Sequence, residues 1–364
     1  MFQSAFRRFS LAAAALVAIV VFAAGCGGSS GGGGPKIGFL LPENETPRYE
    51  AHDRPEFEQN VEELCADCEI LYSNATEDAS KQQSQAEAAL TQGVEVLVVD
   101  AVDAASAAAI VEKAKAQNVP VLAYDRLIEN AEVNYYVSFD NVRVGELQAE
   151  TLSKKLKEDG SASGPIVMIN GDPADSNAAL FKEGAHKGFE SSGVKIAKEY
   201  DTPEWSATNA QNEMQQAITA LGNNGFEGVY AANDETGGGA IAAMKSAGIN
   251  PEEKPTTGQD ATVAGVQRIL AGQQYMTVYK ATNEETKVAA EIAVGLAKGK
   301  EFPKSQINAE PNNGKVKVPS VLLEPVAVTK ENVKSTVIAD GFIKPSELCT
   351  GPYASACKEA GISG

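Results

Sequence analysis

Polar and charged residues recur just beyond short apolar runs in this sequence: Asp100, Asp125-Arg126, Asp140-Asn141, Asp172 with Asp175 and Asn177, Asn233-Asp234, Gln259-Asp260 and Lys280. Carboxylates accept hydrogen bonds, guanidinium and ammonium groups donate them, and amides do both, so such a set could hold a molecule rich in hydroxyl groups. Asp and Asn also cap helices, which assigns Asp140, Asn141 and Asp234 to capping or hinge roles. Capping explains nothing about Arg126, Gln259 and Lys280, which points to ligand contact there. Two aromatic residues stand in polar loops nearby: Tyr49, and Trp205, the only Trp, within Thr202-Pro203-Glu204-Trp205. An aromatic face stacks on the apolar C–H face of a sugar ring. Asp125, Asp175 and Asp260 set against Arg48, Arg126 and Lys280 suit a neutral polyol better than an anion.

These residues act together only if the fold gathers them. From residue 36 onward, Val/Ile/Leu-rich runs alternate with longer segments of helical period, the pattern of a parallel sheet covered on both faces. Strands are expected at 36–41, 69–74, 94–100, 120–125 and 134–140, then at 165–170, 195–200, 228–232, 256–258 and 275–279. Helices are expected near 55–64, 80–92, 104–118, 142–157, 177–191, 207–221, 237–247, 263–271 and 284–298. The fold class is α/β: two successive lobes, each a parallel sheet flanked by helices, with the split near Asp140-Asn141. Ligands of open parallel sheets bind beyond the carboxyl ends of the strands, where the polar residues fall.

The N-terminus carries Arg7 and Arg8, an apolar run at 11–24 too short to span a bilayer stably, and Ala23-Ala24-Gly25-Cys26 followed by Gly and Ser to residue 34. This segment resembles the lipobox of bacterial lipoproteins, although Ala23 stands where Leu is commoner. The resemblance implies a signal peptide at 1–25, lipidation of Cys26 and a flexible tether at 26–35. Without the signal's two arginines, 29 basic residues face 49 acidic ones, a net charge of −20 that repels nucleic acid. Cys65 with Cys68 and Cys349 with Cys357 are close pairs that outside the membrane form local disulfides. A redox role for Cys65-Ala66-Asp67-Cys68 is the alternative, without the flanking Trp or Pro of such motifs. Two histidines leave little material for zinc, and neither metal nor cofactor is expected.

Leu122-Ala123-Tyr124-Asp125-Arg126, Val137-Ser138-Phe139-Asp140-Asn141 with Val144-Gly145-Glu146, Ala232-Asn233-Asp234, Gly258-Gln259-Asp260 and Met276-Thr277-Val278-Tyr279-Lys280 resemble, in order and spacing, the periplasmic sugar-binding proteins of ABC importers. The resemblance runs from about residue 36 to 348 and is strongest to members that take up D-xylose. It implies a two-lobed clamp joined by a multi-strand hinge. The N-terminal lobe would comprise 36–140 with about 282–320 returning to it, and the C-terminal lobe 141–281 with about 321–345, before a disulfide-closed tail at 346–364. It places Arg48, Tyr49, Asp125, Arg126, Asp175, Asn177, Trp205, Asn233, Asp260 and Lys280 around the sugar. Tyr49 stands where the D-xylose binders have Trp. The implied protein is a monomeric, lipid-anchored, extracytoplasmic receptor that hands a monosaccharide to a permease and its ATPase. A sugar sensor for a chemoreceptor or kinase uses the same clamp. Enzyme activity is not expected: no Gly-x-Ser-x-Gly elbow between a strand and a helix, no Walker A motif and no His-Glu-x-x-His appears, although Asp172 and Asp175 would be a carboxylate pair for a glycosidase.

Overall fold

The computed structural model describes residues 33–362, so the export signal, Cys26 and most of the tether lie outside the described residues. The first half of the chain runs β1 (Lys36–Leu41), α1 (Arg54–Leu64), β2 (Glu69–Asn74), α2 (Ala79–Thr91), β3 (Val96–Val99), α3 (Ala108–Ala116), β4 (Val121–Tyr124) and β5 (Tyr135–Phe139). All paired neighbours in this sheet are parallel, and β1 lies between β2 and β3, so the strand order reverses there. Val96 and Val98 pack into one apolar cluster while Leu97 and Val99 pack into another. That period-two division is what a strand buried on both faces requires.

The second half continues with α4 (Asn141–Glu158), β6 (Pro165–Asn170), α5 (Ser176–Ser192), β7 (Lys195–Asp201), α6 (Ala207–Leu221), β8 (Gly228–Ala231), α7 (Asp234–Ser246), α8 (Val263–Leu270) and β9 (Met276–Tyr279). Asp140 caps α4 as expected, accepting from Arg143 N at 3.0 Å. The order β7-β6-β8 is again parallel. The expected strand at 256–258 reduces to a single bridge between Thr256 and Val229. Its neighbour Thr257 puts its hydroxyl where the main chain would pair, accepting from Ala231 N and donating to Ala231 O, both at 2.8 Å.

The chain then returns. Helix α9 (Thr282–Ala297) packs Ala289, Ala290, Ile292 and Ala293 against Ile37, Phe39 and Val98 of the first sheet. Strand β10 (Ser320–Leu323) pairs in parallel with β5, and β11 (Val326–Thr329) pairs antiparallel with β9. These two four-residue strands have no local signature, because their partners lie far away in the chain. Glu324-Pro325 separates β10 from β11; Pro325 has no N–H to extend the ladder. Near the C-terminus α10 (Pro345–Leu348) and α11 (Ala354–Glu359) are linked by Cys349–Cys357, and Cys65–Cys68 joins the end of α1 to β2, with Cα atoms 5.7 and 5.3 Å apart. No helix among the described residues is long and apolar enough to cross a membrane.

Candidate functional site

The reversal of strand order at β1 opens a crevice at the carboxyl end of the first sheet. Arg48 and Tyr49 follow β1, and Asp125 and Arg126 follow β4. Facing them, Asp175 and Asn177 lie at the start of α5, Trp205 precedes α6, Asn233 caps α7, Asp260 precedes α8 and Lys280 follows β9. Every residue of this predicted set lines one cavity, with Gln259, Thr46 and Phe181 beside them. None of the set is more than 4 % exposed.

The backbone is strained where it presents them. Asp125, Trp205 and Asp260 have φ of +55°, +50° and +85°, a region that costs a non-glycine residue about 1–3 kcal/mol unless its surroundings impose it. At Asp125 the imposing groups are visible: its carbonyl accepts from Tyr136 Oη (3.0 Å), Ser138 Oγ (2.7 Å) and Asn177 Nδ2 (3.0 Å). Its Oδ2 accepts from the Tyr49 hydroxyl at 3.1 Å, and Lys280 Nζ lies 3.7 Å from Oδ1. Burial pushes the Asp125 carboxyl up, but Arg48, Lys280 and Arg126 together outweigh it and hold the pKa at about 2, so the group is an anion.

Arg48 is clamped by Asp53, to which Nε and Nη2 donate at 3.0 and 2.6 Å, and by Glu285 Oε2 at 3.2 Å. Its Nη1 is left 3.7 Å from Asp260 Oδ1. Lys280 Nζ lies 3.4 Å from the same oxygen. Arg126 donates from Nη1 to Ala101 O and from Nη2 to the Tyr49 hydroxyl, each at 3.2 Å. Behind it stand Glu43 and Asp100, both fully buried, each with an oxygen 3.5 Å from the guanidinium. Burial raises the pKa of Glu43, Asp100 and Asp175, opposed by the charge of Arg126. The acid-base balance expected from sequence therefore covers only the inner ring. Asp53, Glu43, Asp100 and Glu285 add a further acidic layer, with Glu285 brought in by the returning helix α9.

Trp205 belongs to both readings of a lone Trp: it packs in the core around Phe181 and lines the cavity. Its Nε1 donates to Asp175 Oδ2 at 3.2 Å, and its ring lies so close to Gly171 that a Cβ there would come within 2.0 Å of Cη2. Phe181, not expected from sequence, meets Trp205 edge-on with centroids 6.3 Å apart. It sits four residues after Asn177 on α5, so helical periodicity puts both on one face. Asn233 lines the cavity and also caps α7 in a reciprocal capping box with Thr236. Asp234, expected as a cap or hinge, is not the cap residue; its carboxylate turns to Thr262 instead. Asn141 bonds Ser138 Oγ and Asn177 Oδ1.

Arg48 Nη1, Gln259 Oε1 and Asp260 Oδ1 are buried and make no hydrogen bond. Buried polar atoms are rarely left so, because each costs about 1–3 kcal/mol. Donors and acceptors mixed around one small cavity suit a ligand whose groups both donate and accept. Away from this site, Cys65, Asp67 and Cys68 cluster at metal-ligand spacing, but the two sulfurs are bonded to each other.

Residues 37–301 match the family model described as a periplasmic binding protein domain. The chain is 40 % identical over 317 residues to the D-xylose-binding periplasmic protein of Escherichia coli, a match covering 86 % of this chain and 92 % of that protein. It is 33 % identical to a multiple sugar-binding periplasmic receptor of Rhizobium radiobacter, covering 75 % of this chain and 81 % of the receptor. Among solved structures, an ABC transporter solute-binding protein from Clostridium phytofermentans with bound β-D-glucose superposes with a TM-score of 0.78 at 28 % identity, covering 86 % of this chain and 99 % of that one.

Proposed function

Because the chain belongs to the periplasmic binding protein domain family, we propose that it is the extracytoplasmic receptor of an ABC sugar importer and that its cargo is a neutral monosaccharide, D-xylose. The observation that carries this reading is the convergence of Arg48 Nη1, Gln259 Oε1 and Asp260 Oδ1, buried and without a hydrogen bond, on one cavity that all ten predicted residues line. A pentose offers several hydroxyls, each able to donate and accept, and an apolar ring face for Trp205 and Tyr49.

Arg48, Tyr49, Asp125 and Arg126 hold the sugar from one lobe. Asp175, Asn177, Trp205, Asn233, Asp260 and Lys280 hold it from the other. Only the closed clamp makes both sets of contacts, so the sugar shifts the population toward closure, with the crossovers near Asp140-Asn141 and Glu324-Pro325 serving as hinge. The closed, loaded form is what the permease and its ATPase receive. Cys26 carries the lipid that keeps the protein at the membrane, and the Gly/Ser tether gives the clamp reach. Binding, not turnover, is the role assigned to the site, in keeping with the sugar-binding and solute-binding proteins that the chain resembles.

Titration calorimetry of the signal-free protein, stripped of ligand by unfolding and refolding, tests this against xylose, ribose, arabinose, glucose, galactose and xylobiose. One-to-one binding of xylose alone is expected. Preference for glucose, the sugar in the solved relative, would keep the clamp and move the specificity to Tyr49 and the loop at 42–47. Silence across the panel would overturn the reading.

A further inference from the structure

Asp234 does not line the cavity, yet its side chain is fully buried and both carboxylate oxygens are engaged. Oδ2 accepts from Thr262 N at 2.8 Å and from Thr262 Oγ1 at 3.2 Å, and Oδ1 accepts from Gln274 Nε2 at 2.6 Å. Gln274 is oriented in turn by Arg268, whose Nε donates to its Oε1 at 2.9 Å and whose Nη2 donates to Asp234 O at 2.5 Å. The backbone N–H of Asp234 donates to Gln259 O at 3.0 Å. Every one of these bonds ends on the segment that carries Gln259 and Asp260 or on the groups bracing it.

That segment needs bracing. Asp260 and Ala261 are consecutive non-glycine residues at φ of +85° and +47°. Upstream and in the middle they are tied to β9, through Asp260 N to Val278 O (2.8 Å) and Ala261 N to Thr277 Oγ1 (3.1 Å). The downstream end is tied by the Asp234 carboxylate alone among side chains, at Thr262 N. The fit is close: a Cβ on Gly258 would come 2.1 Å from Asp234 Oδ1, and a Cβ on Gly265 2.1 Å from Oδ2. An acidic residue in the first turn of α7 has an ordinary explanation in the helix dipole. Here Asn233 caps that helix, and the Asp234 carboxylate spans to α8 instead.

We propose that Asp234 is a positioning residue for sugar binding: it fixes the strained Asp260-Ala261 turn so that Asp260 Oδ1 stays between Arg48 and Lys280. The proposal rests on the reading of this cavity as the sugar site. Without the carboxylate, Thr262 N loses its partner, the strained pair relaxes and Asp260 leaves its two cations.

The test compares wild type, Asp234→Ala, Asp234→Asn and Gly265→Ala by calorimetry with D-xylose and by hydrogen exchange of the unliganded proteins. Asp234→Ala is expected to weaken binding at least tenfold, with faster exchange confined to residues 258–265, and Asp234→Asn, which keeps one oxygen for Thr262 N, to recover part of the loss. Gly265→Ala, which pushes on the carboxylate without removing it, should show the same local signature if Asp234→Ala does not fold. Affinity within twofold of wild type in both Asp234→Ala and Gly265→Ala, or exchange accelerated throughout the molecule in both, overturns the proposal. Failure of wild type to bind any sugar would instead overturn the function on which it rests.

Discussion

Arg126 Nε lies 3.0 Å from Asp175 Oδ2, an ion pair that ties the turn after β4 to the first residues of α5 with both partners almost wholly buried. Asp175 accepts at the same time from Trp205 Nε1 and from Asn177 N, so one carboxylate joins the arginine, the aromatic wall and the cap of α5. Removing one partner of such a pair leaves an uncompensated buried group and costs about 3–5 kcal/mol.

Arg126→Ala and Asp260→Ala each remove a buried, charge-paired group that lines the cavity, and are expected to weaken monosaccharide binding by at least about 100-fold, the scale of truncating one partner of a buried charge pair at a binding site. Circular dichroism should show the fold retained. Calorimetry decides it: full affinity in both variants would remove these residues from the site.

Trp205 is the only Trp in the chain, so Trp emission, excited selectively over the ten tyrosines, reports on this cavity alone. Binding of the cognate sugar should change the emission in a saturable way. Gly171→Ala, whose new methyl would meet the indole, should abolish that change and weaken binding about tenfold or more, at the scale of a lost aromatic contact with a misplaced partner. An unchanged spectrum and Kd in this variant would mean that the indole does not bear on the ligand.

Glu77 gives a pH signature. Burial is the main cause that lifts its pKa from the ordinary 4.5 to about 8; Arg126 opposes the shift, while Glu43, Asp172 and Asp175 add to it. The folded protein thus keeps a proton that the unfolded chain has already released, and this group's contribution to stability is lost as pH rises through that window. Glu77→Gln should flatten the fall in thermal midpoint between about pH 5 and pH 8. An identical pH profile for variant and wild type would show that Glu77 titrates normally.

Cys26→Ser should move the protein from the membrane fraction to the soluble extracytoplasmic fraction. The measurement is fractionation of cells expressing each form; continued membrane retention would argue against a lipid on Cys26.

Much of the fold is legible in local pattern. β1 and β6 coincide with the runs at 36–41 and 165–170, because a strand buried on both faces reads as an apolar run whatever its partners, and the half-buried edge strand β2 coincides with 69–74 through Ile70, Leu71 and Tyr72. Asp140 is legible as a cap for the same reason: its bond to Arg143 N spans a single turn. Thr256–Gly258 misleads because the hydroxyl of Thr257 competes for the ladder, and β10 and β11 are silent because a four-residue strand is defined by its neighbour.

The site divides along the same line. The sequence by itself determined which polar side chains stand at the carboxyl ends of strands, since that depends only on where each apolar run stops, and the predicted set from Arg48 to Lys280 does meet in one cavity. Tertiary structure alone decided what surrounds them. Glu285 reaches Arg48 across 237 positions of chain, and Asp234 grips Thr262 from a neighbouring helix. Electrostatic pairing and steric fit act over a few ångströms of space and are indifferent to distance along the chain, so no local pattern records them.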